Sequence, residues 1–407
     1  MPVEISDWND LDNVRNDLSG DYVLVNDLDS GTDGYDGIGD DFQRLGVSDL
    51  DGTPFTGTFD GDGFGIKDLV INEQDSDDRG VGLFGGTDTG VVIEDLSVGG
   101  SITATEAQAG GLVGFVGGGI IQNCMSHVDV VSDNNSTGGL AGRIDGTITD
   151  CYATGSVEGG FRRTGGLVGQ NDATIESSYA VGAVSGNEEV GALVGQNESA
   201  DELVDSYADS EATGQTDLTG DGGPITNSET LTTSEMQGSE AETNMGGFNF
   251  DDVWDSVVEG DETGGGFTSE DGYPILVAVD DENQLEAQNI SFLDVTVTVQ
   301  TNPADLVSST SATLHGEITE LEDVESVDAF FEFGTNVGDN ETTKTTLSDT
   351  VAFDETVENL PDTVIEFRAL AEGESDGTTF TATGNKLTFE TFKNWKSLID
   401  GTELKTF

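Results

Sequence analysis

The chain has 407 residues, with 13 Lys and Arg against 81 Asp and Glu and a formal net charge of −68. A polyanion of this density will not bind nucleic acid or an anionic membrane, and the lack of any 18-residue apolar run excludes a spanning helix. Twenty Phe and regular strand-like alternation argue against disorder. The charge fits a folded halophilic protein, because the screening length falls to roughly 3 Å in molar salt.

Residues 1–50 are expected to cap one end of a coil. Ile5, Trp8, Leu11, Val14 and Leu18 share one helical face, and Ser6 or Asp7 can cap a helix over 7–18. The strand Tyr22-Val23-Leu24-Val25 follows. A solenoid end exposes unpaired strand edges and needs such a cover. In the Asp- and Gly-rich stretch after it, Asp29, Asp33, Asp36 and Asp40 are candidate ligands for a structural calcium or another cation. Their spacing departs from an EF-hand loop, with Gly31 at the third position and Asp40, not Glu, at the twelfth. No other cofactor is expected.

Residues 51–210 carry five glycine-bracketed leucines: Leu83, Leu112, Leu140, Leu167 and Leu193, separated by 29, 28, 27 and 26 residues. A second register runs in phase through Ile93, Ile121, Ile148, Ile175 and Leu203, with Leu96, Cys124, Cys151, Ser178 and Ser206 three residues further on. Each unit offers about three short strands between Gly, Asn and Asp turns. The pattern predicts an all-β fold: a parallel β-solenoid with one repeat per rung, in which equivalent residues stack roughly 4.8 Å apart. Glycines give the corners and leucines a continuous core ladder. Ile66 and Leu69 precede Ile93 and Leu96 by 27 residues and are assigned to the preceding rung. Cys124 and Cys151 fall at one position of adjacent rungs, within disulfide reach; two buried thiols are the favoured state and a disulfide the alternative.

The phrase "FTGTFDGDGFGIKDLVI", then "GLFG" and the repeated "GGLVG…I…CYATGSV", resembles the GLUG-motif repeat proteins over residues 4–278. The resemblance implies a module of secreted or surface-anchored, adhesin-like proteins of bacteria and archaea, and it brings no catalytic motif. The ladder weakens at Ala192 and is expected to end near Ala208.

Residues 211–279 are read as a loop and the C-terminal closure of the coil, packed on its last rung through Phe248, Phe250, Trp254 and Tyr273-Pro274-Ile275-Leu276. Residues 280–290 are an acidic linker. Short alternating strands over 291–391 predict a β-sandwich, and "TSATLHGEI", "VDAFFEFG" and "LPDTVIEFRALA" resemble a fibronectin type III-like domain. The segment 392–407 is basic and apolar. Lys393, Trp395, Lys396, Leu398, Ile399, Leu404 and Phe407 are candidate docking residues toward another virion or cell-surface protein, in an assembly expected to be homo-oligomeric.

Chemistry is sparse. His127 and His315 lie in different domains, and no P-loop, dinucleotide fingerprint or nucleophile elbow is present. Carboxylate pairs occur by chance at this acidity, so they do not argue for a glycosidase. The sequence therefore points to a non-catalytic structural or adhesive protein touching a host glycoprotein or glycan. Met1-Pro2-Val3-Glu4 opens without a basic or apolar leader, which favours a virion component (tail fibre, spike or turret) of a haloarchaeal virus. A cell-surface adhesin is the alternative, and a polysaccharide-degrading enzyme the third.

Overall fold

A computed structural model of the chain describes residues 1–47, 52–73, 80–105, 108–133, 135–198, 202–258, 262–263, 266–268, 271–290, 292–293, 296–305, 307–308, 310–322, 326–361, 363–375 and 378–390. They fall into two units, one of Met1–Val258 with Glu270–Ser291, the other of Glu259–Ser269 with Phe292–Phe407.

In the first unit glycine sets the corners. At Gly139 a side-chain Cβ would lie 2.4 Å from the Gly166 carbonyl oxygen, so the chain can turn there only without one. Each such corner joins two short strands of different parallel sheets. One sheet contains Gln108–Gly110, Asn135–Gly138, Arg162–Gly165 and Glu188–Gly191. The next contains Phe84–Thr87, Val113–Val116, Ala141–Ile144, Val168–Asn171 and Val194–Asn197. The third and largest sheet carries the long strands Val92–Ala104 and Ile120–Ser132 and their successors. All pairings in these three sheets are parallel, as in a β-solenoid.

The leucines stand in one column. The amide of Leu112 donates to the carbonyl of Leu140 (3.0 Å), Leu140 to Leu167 (2.9 Å) and Leu167 to Leu193 (2.9 Å), and all four side chains are buried. The column is longer than expected. Leu45 donates to Leu83 at one end and Leu193 to Leu218 at the other. From Leu83 to Leu218 the coil makes about five turns. A further rung, Thr219–Asp221, Ile225–Thr226 and Glu229–Leu231, pairs in register beyond Ala208, where the ladder was expected to stop. It was hidden because its strands are polar and Asp217 stands where the other brackets have a small residue before the leucine, leaving only Gly220 of the bracket.

A second column runs Tyr22, Phe59, Ile93, Ile121, Ile148, Ile175 and Leu203. Phe59, not Ile66, therefore precedes Ile93. Ile66 pairs with Val98, since Thr58–Asp60 and Gly65–Glu73 share the length of Val92–Ala104 and a register shift separates Ile66 from Leu69. From Ile93 onward each rung then bends at an equivalent residue of positive φ: Asp95 (51°), Asn123 (49°), Asp150 (49°), Ser177 (47°), Asp205 (44°) and Asn227 (50°). Asp and Asn tolerate this left-handed conformation better than other side chains. The next position holds the buried free thiols of Cys124 and Cys151, then Ser178 and Ser206. The Ser178 and Ser206 hydroxyls each accept an amide from the neighbouring rung.

At the start of the chain the expected helix is shorter. Trp8–Asn13 is α-helical, capped by the Asp7 carboxylate on the Asp10 amide, and a 3-10 turn over Val14–Asn16 ends it. Trp8, Leu11 and Val14 join the core cluster of the first rungs.

The stretch expected to close the last rung runs along the flank instead. Residues 232–258 and 271–290 form a strap over side chains that point out of the coil. Met125, Tyr152, Tyr179 and Tyr207 stack in register on that face. The Tyr152 and Tyr179 rings lie 4.7 Å apart and nearly parallel. Phe248 packs on Tyr207 and Tyr179, and Trp254 on Tyr179 and Tyr152. The strap then reaches back to the first rungs, where the Asp280 amide donates to the Gly63 carbonyl at 2.9 Å. The predicted linker is in fact a helix, Asp281–Ala287, capped by Asp280. It is fixed by Gln284, which is fully buried and makes four hydrogen bonds, one of them with the Tyr152 hydroxyl.

The second unit is antiparallel. Thr296–Asp305, Ser311–Glu322 and Ala352–Glu358 form one sheet. Val327–Gly334, Val364–Ser375, Thr378–Thr383 and Leu387–Glu390 belong to another. Leu314, Ile318 and Val357 from the first meet Phe331, Ile365 and Phe367 from the second in one apolar cluster. His315 lies on the first sheet, paired to Asp305 at 3.0 Å.

Candidate functional site

Where the strap helix meets the flank it leaves a cleft of about 540 Å³. Its back wall is the paired strands Val92–Ala104 and Ile120–Ser132, which contribute Val98, Gly99, Gly100 and Met125. Neither glycine offers a side chain, so bare backbone is exposed there, and Gly100 takes a positive φ of 138° where Leu69 crosses it. Asn283, Glu286 and Ala287 of the helix form the facing wall.

Polar groups ring this floor. His127 projects from its strand because alternate residues face opposite sides of a sheet, and its Nδ1 pairs with the Thr154 hydroxyl at 2.8 Å. No other hydrogen bond engages the ring among the described residues. Lys67 reaches Glu286 at 3.1 Å and Asp27 at 3.8 Å. Burial by itself would lower its pKa. The Glu286 hydrogen bond and the fields of Glu286, Asp27 and Glu282 outweigh that, and it stands above the ordinary value.

Three aspartates complete the rim. Asp29 is held below the usual carboxylate range by the Thr32 hydroxyl, which with the Gly31 and Thr32 amides and the field of Lys67 outweighs the opposing effect of burial. Asp68 accepts the Ser30 amide, and Asp129 accepts the Ser156 amide and hydroxyl. In each case one carboxylate oxygen is fixed by the protein. Asn283 is only 4% exposed. Its amide nitrogen donates to Asp27, while its Oδ1 accepts no hydrogen bond.

Of the residues singled out in the sequence, the five leucines stack in one buried ladder. Asp29, Asp33, Asp36 and Asp40 are not gathered into a cation site. Asp29 and Asp40 accept amides of their own loop, and among the described residues no three acidic, His or Cys side chains converge to hold a metal. The docking residues Lys393 to Phe407 lie outside the described residues. The cleft itself was missed, because it joins residues 67 and 127 of the coil to residue 283 of the strap, which are far apart in sequence. Among the described residues no helix is long and apolar enough to cross a membrane.

Comparison with known proteins agrees with the coil. Residues 133–158 match the GLUG motif family. That span is one turn of the solenoid, from Asn135–Gly138 through Leu140 to Thr147–Ala153. The chain is also 36% identical to halomucin of Haloquadratum walsbyi over 244 residues, taking in 50% of this chain and 3% of that protein. Two structures of the sensor domain of the anti-sigma factor RsgI4 from Pseudobacteroides cellulosolvens match smaller portions. The shorter form is 19% identical over 24% of this chain and 94% of its own, with a TM-score of 0.19. The solution structure is 17% identical over 27% and 88%, with a TM-score of 0.20. At those scores neither bears on function.

Proposed function

We propose that the chain is an extracellular or cell-surface protein of a haloarchaeon, with a structural and adhesive role. The stacked-rung coil carries this reading. Its largest contacts are between identical positions of successive turns, which makes a stiff scaffold and leaves no preformed catalytic constellation among the described residues. The similarity to halomucin and the GLUG motif supports a surface location, and favours it over the virion role expected from the opening residues. The charge of −68 suits a molecule bathed in concentrated salt. Within this proposal the helix Trp8–Asn13 covers the first end of the coil, and the second unit is a fibronectin III-like spacer.

Immunogold labelling of intact producing cells, fixed in growth-strength salt, tests the location. Label on the cell surface or in the surrounding matrix is expected. Label confined to the cell interior, or found only on released virus particles, overturns it.

A further inference from the structure

We propose that the cleft beside the strap helix is a binding site for a neutral saccharide of two or three residues. Its volume of about 540 Å³ lies in the range of small-molecule sites, roughly 300–1,000 Å³. The lining suits a sugar on two counts. The half-exposed backbone of Gly99 and Gly100 makes a smooth patch, free of side chains, against which the C–H face of a pyranose can lie. Around it, Asp68 and Asp129 are acceptors for hydroxyl donors, while Lys67 and the second ring nitrogen of His127 face sugar oxygens.

Other ligand classes fit less well. A bare cation would need three converging carboxylates, and the described residues bring no such group together. An anion would meet the rim aspartates and Glu286, with Lys67 already paired. An organic cation would have to compete for the same carboxylates with salt cations at molar concentration. Short hydrogen bonds from hydroxyls to fixed carboxylates survive those conditions, since they are charge-assisted and geometric.

The source of the saccharide rests on the surface reading above; the existence of the site does not. Saturation-transfer NMR of the full chain in about 3 M potassium chloride, a salt in which screening is short, tests it with maltose, cellobiose, N,N′-diacetylchitobiose and spermidine as probes. At least one sugar is expected to receive saturation, with a dissociation constant of about 1 mM or tighter. Two variants with exposed side chains, His127→Ala and Asp129→Asn, should each weaken that binding about tenfold, worth about 1.4 kcal/mol, while thermal melting stays as in the parent. No transfer to any sugar, binding of spermidine alone, or sugar binding unchanged in both variants overturns the proposal. Failure here with label still at the cell surface would leave the surface reading standing; success with label inside the cell would do the reverse.

Discussion

Leu140 sits between Leu112 and Leu167 with no solvent contact, so truncating it opens a void that neighbours on both sides cannot close. Leu140→Ala should cost about 2–5 kcal/mol, read as a lowered denaturant midpoint; a loss below about 1 kcal/mol would mean the column is not a packed core. Asp95 makes a subtler case. Burial raises its pKa, the Asn123 amide opposes that, and the fields of Asp60 and Asp62 add to it. A carboxyl raised in the fold favours folding below its unfolded value, and that contribution is lost as pH rises through the folded value. Asp95→Asn keeps both the left-handed backbone and the acceptor oxygen. It should therefore be more stable than the parent at pH 7 by less than about 1 kcal/mol, given the partial exposure, with the gap closing in acid. A gap that widens on acidification would contradict this.

The columns were legible because glycine brackets and leucine spacing repeat on the scale of one turn. The cleft was not, since nothing in the strings around Lys67, His127 and Asn283 marks them as neighbours. At the scale of elements the same contrast holds. The helix Asp281–Ala287 was invisible because its inward face is mostly amide, with Asn283 and Gln284 beside Leu285 and Ala287, and carries little apolar periodicity. The flank position of the strap was equally hidden, because its aromatic residues serve a side of the coil and not its end. Trp254 is the anchor: it packs on Tyr152, Tyr179 and Phe248, and its indole N–H donates to Asp150 at 3.1 Å. Trp254→Ala should cost about 3–5 kcal/mol locally. Hydrogen exchange should quicken over 232–258 and 271–290 while amides near Leu140 stay protected. Exchange that quickens equally in the rungs would show that strap and coil are one cooperative element, against this account.

Over the whole molecule, charge outweighs every single contact. With −68 spread over 407 residues and few basic partners, self-repulsion grows as salt is withdrawn. Inter-rung pairs such as Arg143 with Asp172 and Arg162 with Glu189 cross-link adjacent turns but neutralise little of it. Going from about 3 M to about 0.1 M salt lengthens the screening distance to about 10 Å, and the thermal midpoint should fall steeply; a midpoint indifferent to salt would refute the halophilic reading.

The stacking itself is best measured as distance. Thr58, Val92, Ile120 and Glu202 occupy one column of the largest sheet, with Thr147 and Thr174 between the last two. Spin labels on Glu202 paired in turn with Ile120, Val92 and Thr58 should report separations of about 14, 19 and 24 Å, plus a constant label offset, rising by one strand spacing per rung. Separations that fail to increase in equal steps would show that the turns do not stack in register.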